Sequence, residues 1–117
     1  MDCLFCKIAN GEIPSNFIYE DESVVAFRDI NPQAPQHVLI VPRKHIANVT
    51  KFQSDDKELA AHILIDVVPK IAKNLQIDES GFRLVINTGD DGGQTVHHLH
   101  VHLIGGDTLT NHFGKDV

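Results

Sequence analysis

Apolar residues recur along the chain with two different periods, and the changes of period mark the elements. Phe17-Ile18-Tyr19 and Val24-Val25-Ala26-Phe27 are β-favouring runs on either side of the polar Glu20-Asp21-Glu22-Ser23, which predicts a hairpin with a four-residue loop. Pro32 and Pro35 impose an extended loop before His37-Val38-Leu39-Ile40-Val41, a run as long as a buried strand, and Pro42 ends it. Leu59, Ile63, Val67 and Ile71, joined by Ala60, Leu64 and Val68, then form a wide stripe at helical spacing that must pack on a sheet. Ser54 is the expected cap of this helix, with Asp55, Asp56 and Glu58 where the helix dipole favours negative charge. Pro69 predicts a bend or an early end near Val68.

Cys3 to Ala9 predicts a short helix that Asn10-Gly11 stops and Pro14 keeps from continuing. Phe82 to Asn87 predicts a fourth strand, Thr88 to Gln94 a glycine-rich loop, and Thr95 to Ile104 a fifth strand. The expected fold class is α+β: a five-stranded antiparallel sheet with one main amphipathic helix and a short N-terminal helix. With no repeat and no linker, residues 1–117 read as a single domain in which 107–117 is a C-terminal tail.

Side chains alternate along a strand, so the fifth strand should carry His98, His100 and His102 on one face and Leu99, Val101 and Leu103 on the face the helix covers. Successive members of such a row stand about 6.5 to 7 Å apart, close enough for two to touch one phosphate-sized group.

Composition sharpens this picture. The chain has 117 residues, 42% of them hydrophobic, with Asp plus Glu 16 against Lys plus Arg 10, a formal charge of −6. That charge repels a phosphate backbone, so no nucleic-acid partner is expected. No apolar run approaches the roughly 20 residues that span a bilayer, and the start lacks a basic segment, so the reading is a cytoplasmic protein without a membrane partner. Eight histidines with no tryptophan and one tyrosine are the compositional excess that needs a chemical reason.

Two chemistries suit the row. His-x-His can present two imidazoles to zinc, but the strand holds no carboxylate to complete a site. The glycine-rich loop upstream offers N–H groups suited to anions, although Asp90 and Asp91 oppose this. A neutral imidazole is a good nucleophile near neutral pH, and attack on phosphorus divides one hard displacement into two easier ones.

His98-Leu99-His100-Val101-His102-Leu103-Ile104 matches the His-φ-His-φ-His-φ-φ signature, φ being apolar, of the histidine triad superfamily. Asp29 to His37, Asn87, Gly92-Gly93-Gln94-Thr95 and Gly105-Gly106 resemble its nucleotide-binding branch, and the resemblance covers roughly residues 3 to 106. It implies a homodimer whose two sheets join into one and hydrolysis of purine nucleoside phosphoramidates, AMP or GMP conjugates of an amine. It implies a covalent nucleotidyl-histidine on His100, with no cofactor in the chemical step. His102 would contact phosphate and leaving group, His98 would orient the set, and His37 would position the phosphate. Asn87, Gly93, Gln94 and Thr95 would lie on the phosphate side. Asp29 would take the ribose hydroxyls, and Ile30, Phe5, Ile8 and Phe27 would form the purine slot. Asp107 stands where many relatives have arginine, and the tail aligns with no one branch. The dinucleoside polyphosphate hydrolase branch shares the triad and is the alternative enzyme; a nucleotide-binding regulatory module with incidental turnover is the non-enzymatic one.

Cys3-Leu4-Phe5-Cys6 has the spacing of a redox dithiol or of half a zinc site. The thioredoxin-like reading needs a preceding strand, and none is predicted. Some bacterial members of the superfamily bind zinc with such a pair, the histidine of a Pro-x-x-His segment and the first triad histidine. That resemblance implies a structural zinc on Cys3, Cys6, His45 and His98. His62, His97 and His112 are expected to have no catalytic role, and Arg43 and Lys44 read as a solvated turn.

Overall fold

The computed structural model describes residues 3–111 and 113. Helix α1 is Leu4–Ala9, and five strands follow: β1 Phe17–Glu20, β2 Val24–Arg28, β3 Gln36–Pro42, β4 Phe82–Val85 and β5 Val101–Gly105. They form one antiparallel sheet in the order β1-β2-β3-β5-β4. Between β3 and β4 lie 3-10 turns at Val49–Lys51 and Ser54–Asp56, then helix α2, Lys57–Ala61, a wide π segment, His62–Val67, and helix α3, Val68–Asn74. No helix among the described residues is long and apolar enough to cross a membrane.

The sheet is buried on both faces, which explains why β2 and β3 read as continuous apolar runs rather than alternating ones. On one face Val24, Ala26, Val38, Ile40, Val101 and Leu103 pack with Ile63, Val67, Val68, Ile71 and Ala72 of the main helical run. On the other, Val25, Phe27, Leu39 and Val41 pack with Cys3, Phe5 and Ala9 around α1. The short helix thus covers the face that carries His37 and His102, and the long one covers the back.

Four expectations need correction. Ser54 does not cap the main helix: it begins a 3-10 turn capped by Gln53, whose N–H donates to the Asp56 carboxylate, and α2 starts only at Lys57. Pro69 does not end the run near Val68, because the π segment precedes it. The Val68 N–H bonds to the Ile63 carbonyl five residues back, so Pro69 stands in the first turn of α3, where no N–H is required. The fourth strand ends at Val85 rather than Asn87. The fifth runs from Val101 to Gly105 rather than from Thr95 to Ile104. β3 stops at Pro42, which the register with β5 sets opposite Leu99, so residues 95–98 have no strand to pair with, and the Leu99 N–H bonds to the Ile46 carbonyl at 2.7 Å.

Candidate functional site

β5 starts at Val101, so of the three histidines only His102 lies within the strand itself. His102 is on β5, and its ring centroid lies 5.0 Å from that of His100 and 5.1 Å from that of His37 on β3. His98 is fully buried, with Nε2 2.8 Å from the Pro42 carbonyl. It packs on the same Phe5 ring as His100, with centroids 6.2 and 5.1 Å from that ring, on the side of the sheet that α1 covers.

In neutral rings, carbonyl and N–H partners select the tautomers. A carbonyl only accepts, so the 2.7 Å contact of His100 Nδ1 with the His98 carbonyl makes Nδ1–H the donor and leaves the lone pair on Nε2. The His100 ring is 6% exposed and meets the Phe5 ring edge-on, with centroids 5.1 Å apart. No deeply buried side-chain nitrogen or oxygen of a described residue lacks a partner, and His100 Nε2 has none among the described residues, so this nitrogen is not sealed in the core. The Gln33 N–H donates to His37 Nδ1 at 3.0 Å, which puts the proton of His37 on Nε2. That N–H donates to His102 Nδ1 at 2.9 Å, and the proton of His102 is left on its own Nε2. One imidazole therefore offers a lone pair, and its neighbour offers a donor.

Burial keeps the relay uncharged. It pushes His37 below the usual imidazole range against the opposing pull of Asp29. Burial, then the proximity of His100 and His37, lowers His102 to about 4. Asp29 is turned toward this pair, with Oδ2 3.5 Å from His37 Nε2, while Oδ1 accepts the Asn31 N–H at 2.8 Å. Ile30 beside it is 92% exposed. Phe5 and Phe27 are buried and pack edge-to-face at 5.6 Å, with Ile8 half-buried alongside. They lie beneath the histidines rather than open to solvent.

The glycine-rich loop is braced from within. Gln94 is buried; its amide nitrogen donates to the Ala47 and Val96 carbonyls at 2.7 and 3.0 Å, and its amide oxygen accepts the Gly89 N–H at 2.9 Å. The N–H groups of Gly93 and Gln94 are taken by the carbonyls of Asp90 and Gly89. Asn87 is half-buried and Thr95 exposed, and neither side chain has a partner among the described residues.

A second cluster adjoins the first. Cys3 Sγ, Cys6 Sγ, His45 Nδ1 and His98 Nδ1 all lie within 4.8 Å of one another. His98 Nδ1 is 3.2 Å from Cys3 Sγ, 3.4 Å from Cys6 Sγ and 3.2 Å from His45 Nδ1, and Cys6 Sγ is 3.4 Å from His45 Nδ1. Zinc bonds of about 2.0 Å to nitrogen and 2.3 Å to sulfur, set tetrahedrally, place donors about 3.3 to 3.8 Å apart, so these residues fit the ion. The His98 Nε2–H bond to Pro42 is the kind of outer contact that aims a metal-binding imidazole. Burial, then the neighbouring Cys3, pushes the Cys6 thiol up to about 11.

Asp29, His37 and His102 also lie close enough to share an ion, and neither such group among the described residues includes His100. A cation at Asp29 would need the Nε2 lone pair of His37, which the Gln33 N–H bond denies it. Sequence reasoning gave no role to the Gln33 N–H or to the Pro42 and His98 carbonyls, because backbone groups leave no mark in residue identity. Arg43 is not a solvated turn: it straps the Asp21 and Ala9 carbonyls at 2.9 and 2.7 Å. Lys44 pairs with the buried Asp56 at 2.6 Å. Outside both clusters, His62 bridges Asp21 and Asp66 at 2.7 and 2.8 Å; His97 is exposed, and His112 lies outside the described residues.

Comparison with known proteins agrees with this architecture. The HIT domain model matches residues 10–109, which leaves both cysteines outside the matched range. The chain is 47% identical over 108 residues to the purine nucleoside phosphoramidase of Escherichia coli strain K12, covering 92% of this chain and 90% of that protein. A HIT family hydrolase from Legionella pneumophila Philadelphia 1 superposes with a TM-score of 0.90 at 52% identity, covering 94% of this chain and 97% of the other. A histidine triad protein from Clostridium difficile does so with a TM-score of 0.91 at 50% identity, covering 97% of each. A sheet in the order β1-β2-β3-β5-β4, a lone-pair imidazole beside a donor imidazole, and these likenesses lead to one assignment: the chain belongs to the HIT domain family.

Proposed function

We propose that this protein hydrolyses purine nucleoside phosphoramidates through a nucleotidyl intermediate on His100. The carrying observation is the His100 Nδ1–H bond to the His98 carbonyl, which leaves the lone pair on Nε2. That nitrogen attacks phosphorus as the P–N bond breaks, and the amine departs with a proton drawn through the imidazole cluster. Water then attacks the nucleotidyl-imidazole, releasing the nucleoside monophosphate and returning the proton. His102 Nε2–H, aimed by His37, donates to a phosphoryl oxygen or to the departing nitrogen.

Asp29 accepts the ribose hydroxyls with Oδ2, and the exposed Ile30 supplies an apolar plate for the base, over a floor of Phe5, Ile8 and Phe27. Asn87 and Thr95 contact the phosphate directly, and Gly93 and Gln94 shape the loop that presents them. The purine and amine classes are supported by the name of the Escherichia coli relative. A homodimer is supported by the unpaired edge of β4, where Leu84 and, just beyond it, Ile86 are exposed.

Zinc on Cys3, Cys6, His45 and His98 has a structural role in this reading, since four protein ligands leave no open position. It ties α1 to the segment before β5 and takes no part in the chemistry. The test is intact-mass analysis of protein quenched during turnover of an adenosine phosphoramidate. The reading expects an adenylyl adduct mapping to His100; turnover with the adduct on another residue, or no turnover, would overturn it.

A further inference from the structure

Cys3 and Cys6 share one neighbour with the proposed nucleophile. His98 meets both sulfurs with a single ring nitrogen, at 3.2 and 3.4 Å, and its own backbone carbonyl takes the His100 Nδ1–H at 2.7 Å. The Cys6 N–H donates to Cys3 Sγ at 3.3 Å, which holds that sulfur on the side of Cys6, and the two sulfurs lie within 4.8 Å. Phe5, between the two cysteines in sequence, packs its ring against both His98 and His100. Cys3 is buried and Cys6 half-buried, so Cys6 is the more accessible residue of the pair.

We propose that Cys3 and Cys6 are an oxidisable dithiol whose state is transmitted to His100 through His98. The inference rests on the reading of His100 as the nucleophile. The oxidant class is a hydroperoxide. One sulfur attacks a peroxide oxygen, the O–O bond breaks, and water leaves a sulfenic acid behind. The second sulfur attacks the sulfenic sulfur, the S–S bond forms, and a second water departs. Two thiols thus lose two hydrogens and two electrons, and hydrogen peroxide becomes two molecules of water.

A disulfide offers no thiolate, so zinc affinity is lost with it. His98 then loses both sulfur partners, and Phe5 is drawn with the shortened Cys3–Cys6 span. The carbonyl that holds Nδ1–H of His100 shifts with the His98 ring, so the tautomer that exposes the Nε2 lone pair is no longer enforced. By the usual cost of disturbing a supporting contact, turnover falls about 10- to 100-fold.

The experiment treats the zinc-loaded protein with hydrogen peroxide and follows four readouts in parallel. They are intact mass under non-reducing conditions, zinc released to a chromogenic chelator, the nitrogen-15 signal of His100 Nδ1–H, and phosphoramidate hydrolysis. With two cysteines and one methionine in the chain, loss of two hydrogens and gain of one oxygen are separable masses. The expected result is a Cys3–Cys6 disulfide, zinc release, a displaced His100 signal and lost turnover, all reversed by dithiothreitol with added zinc. Thiols that stay reduced would overturn the proposal, as would a disulfide that leaves the His100 signal and turnover unchanged. If the reduced protein shows no hydrolysis at all, the proposed activity fails, while mass, zinc and the His100 signal still decide the coupling.

Discussion

His37 gives its Nε2–H to Nδ1 of His102 across 2.9 Å, and the Gln33 N–H behind it dictates that direction. Replacing His37 with Phe keeps the aromatic volume and removes the donor. His102 can then rotate or change tautomer, so kcat should fall about 100-fold, the usual scale for a positioned proton donor, with KM moving less. Steady-state kinetics of His37→Phe check this; an unchanged kcat would mean that the relay has no part in turnover.

The same burial makes a pH prediction. His102 is lowered to about 4 in the folded chain, against about 6.5 when unfolded. Between these values the unfolded chain binds more protons, so folding stability drops as pH falls from about 6.5 to 4 and is steady above that window with respect to this group. The loss should reach about 2–4 kcal/mol. Urea unfolding at several pH values should show that slope, and His102→Phe should flatten it.

His62 acts with the opposite sign. Hydrogen bonds that its ring donates to Asp21 and then Asp66 raise its pKa, so its contribution is complete below the unfolded value and fades as pH rises through the folded one. His62→Ala should cost about 0.3–1 kcal/mol at pH 6, a surface-pair magnitude, and less at alkaline pH. A pH-independent difference between wild type and variant would sink this reading.

Gln94 discriminates scaffold from substrate contact. Removing its amide strands the Ala47 and Val96 carbonyls and the Gly89 N–H, so Gln94→Ala should cost about 1–3 kcal/mol of stability. Thermal unfolding measures this. A variant with wild-type Tm and only a raised KM would instead show the side chain bound to phosphate.

Zinc content separates the two clusters. One zinc per chain should disappear in Cys3→Ser and Cys6→Ser and persist in His100→Ala, as elemental analysis would show. Metal lost with His100 but kept without the cysteines would place the ion on the triad instead.

Much of this was legible in the residues. The β-favouring runs gave the hairpin and β3, the helical stripe gave the back of the sheet, and His-x-His-x-His with Cys-x-x-Cys marked the chemistry. What misled was length. Extending the fifth strand back to Thr95 assumes a partner, but Pro42 ends β3 opposite Leu99, so His98 lies just beyond the ladder, where it meets the cysteines. The residues of the two clusters could be named in advance; their tautomers could not, because the Gln33 N–H and the His98 and Pro42 carbonyls decide them, and every residue except proline carries the former and every residue the latter.

The widened turn over His62–Val67 has its own consequence for how insertions and deletions are tolerated here. Removing one residue from it would restore ordinary winding with the residues downstream kept near their present facing, because the wide turn holds one residue more than an α turn. Ile71 and Ala72 would stay on the sheet, but Pro69 would stand in the middle of an unbroken helix, where its ring collides with a carbonyl. The extra residue is what accommodates the proline here.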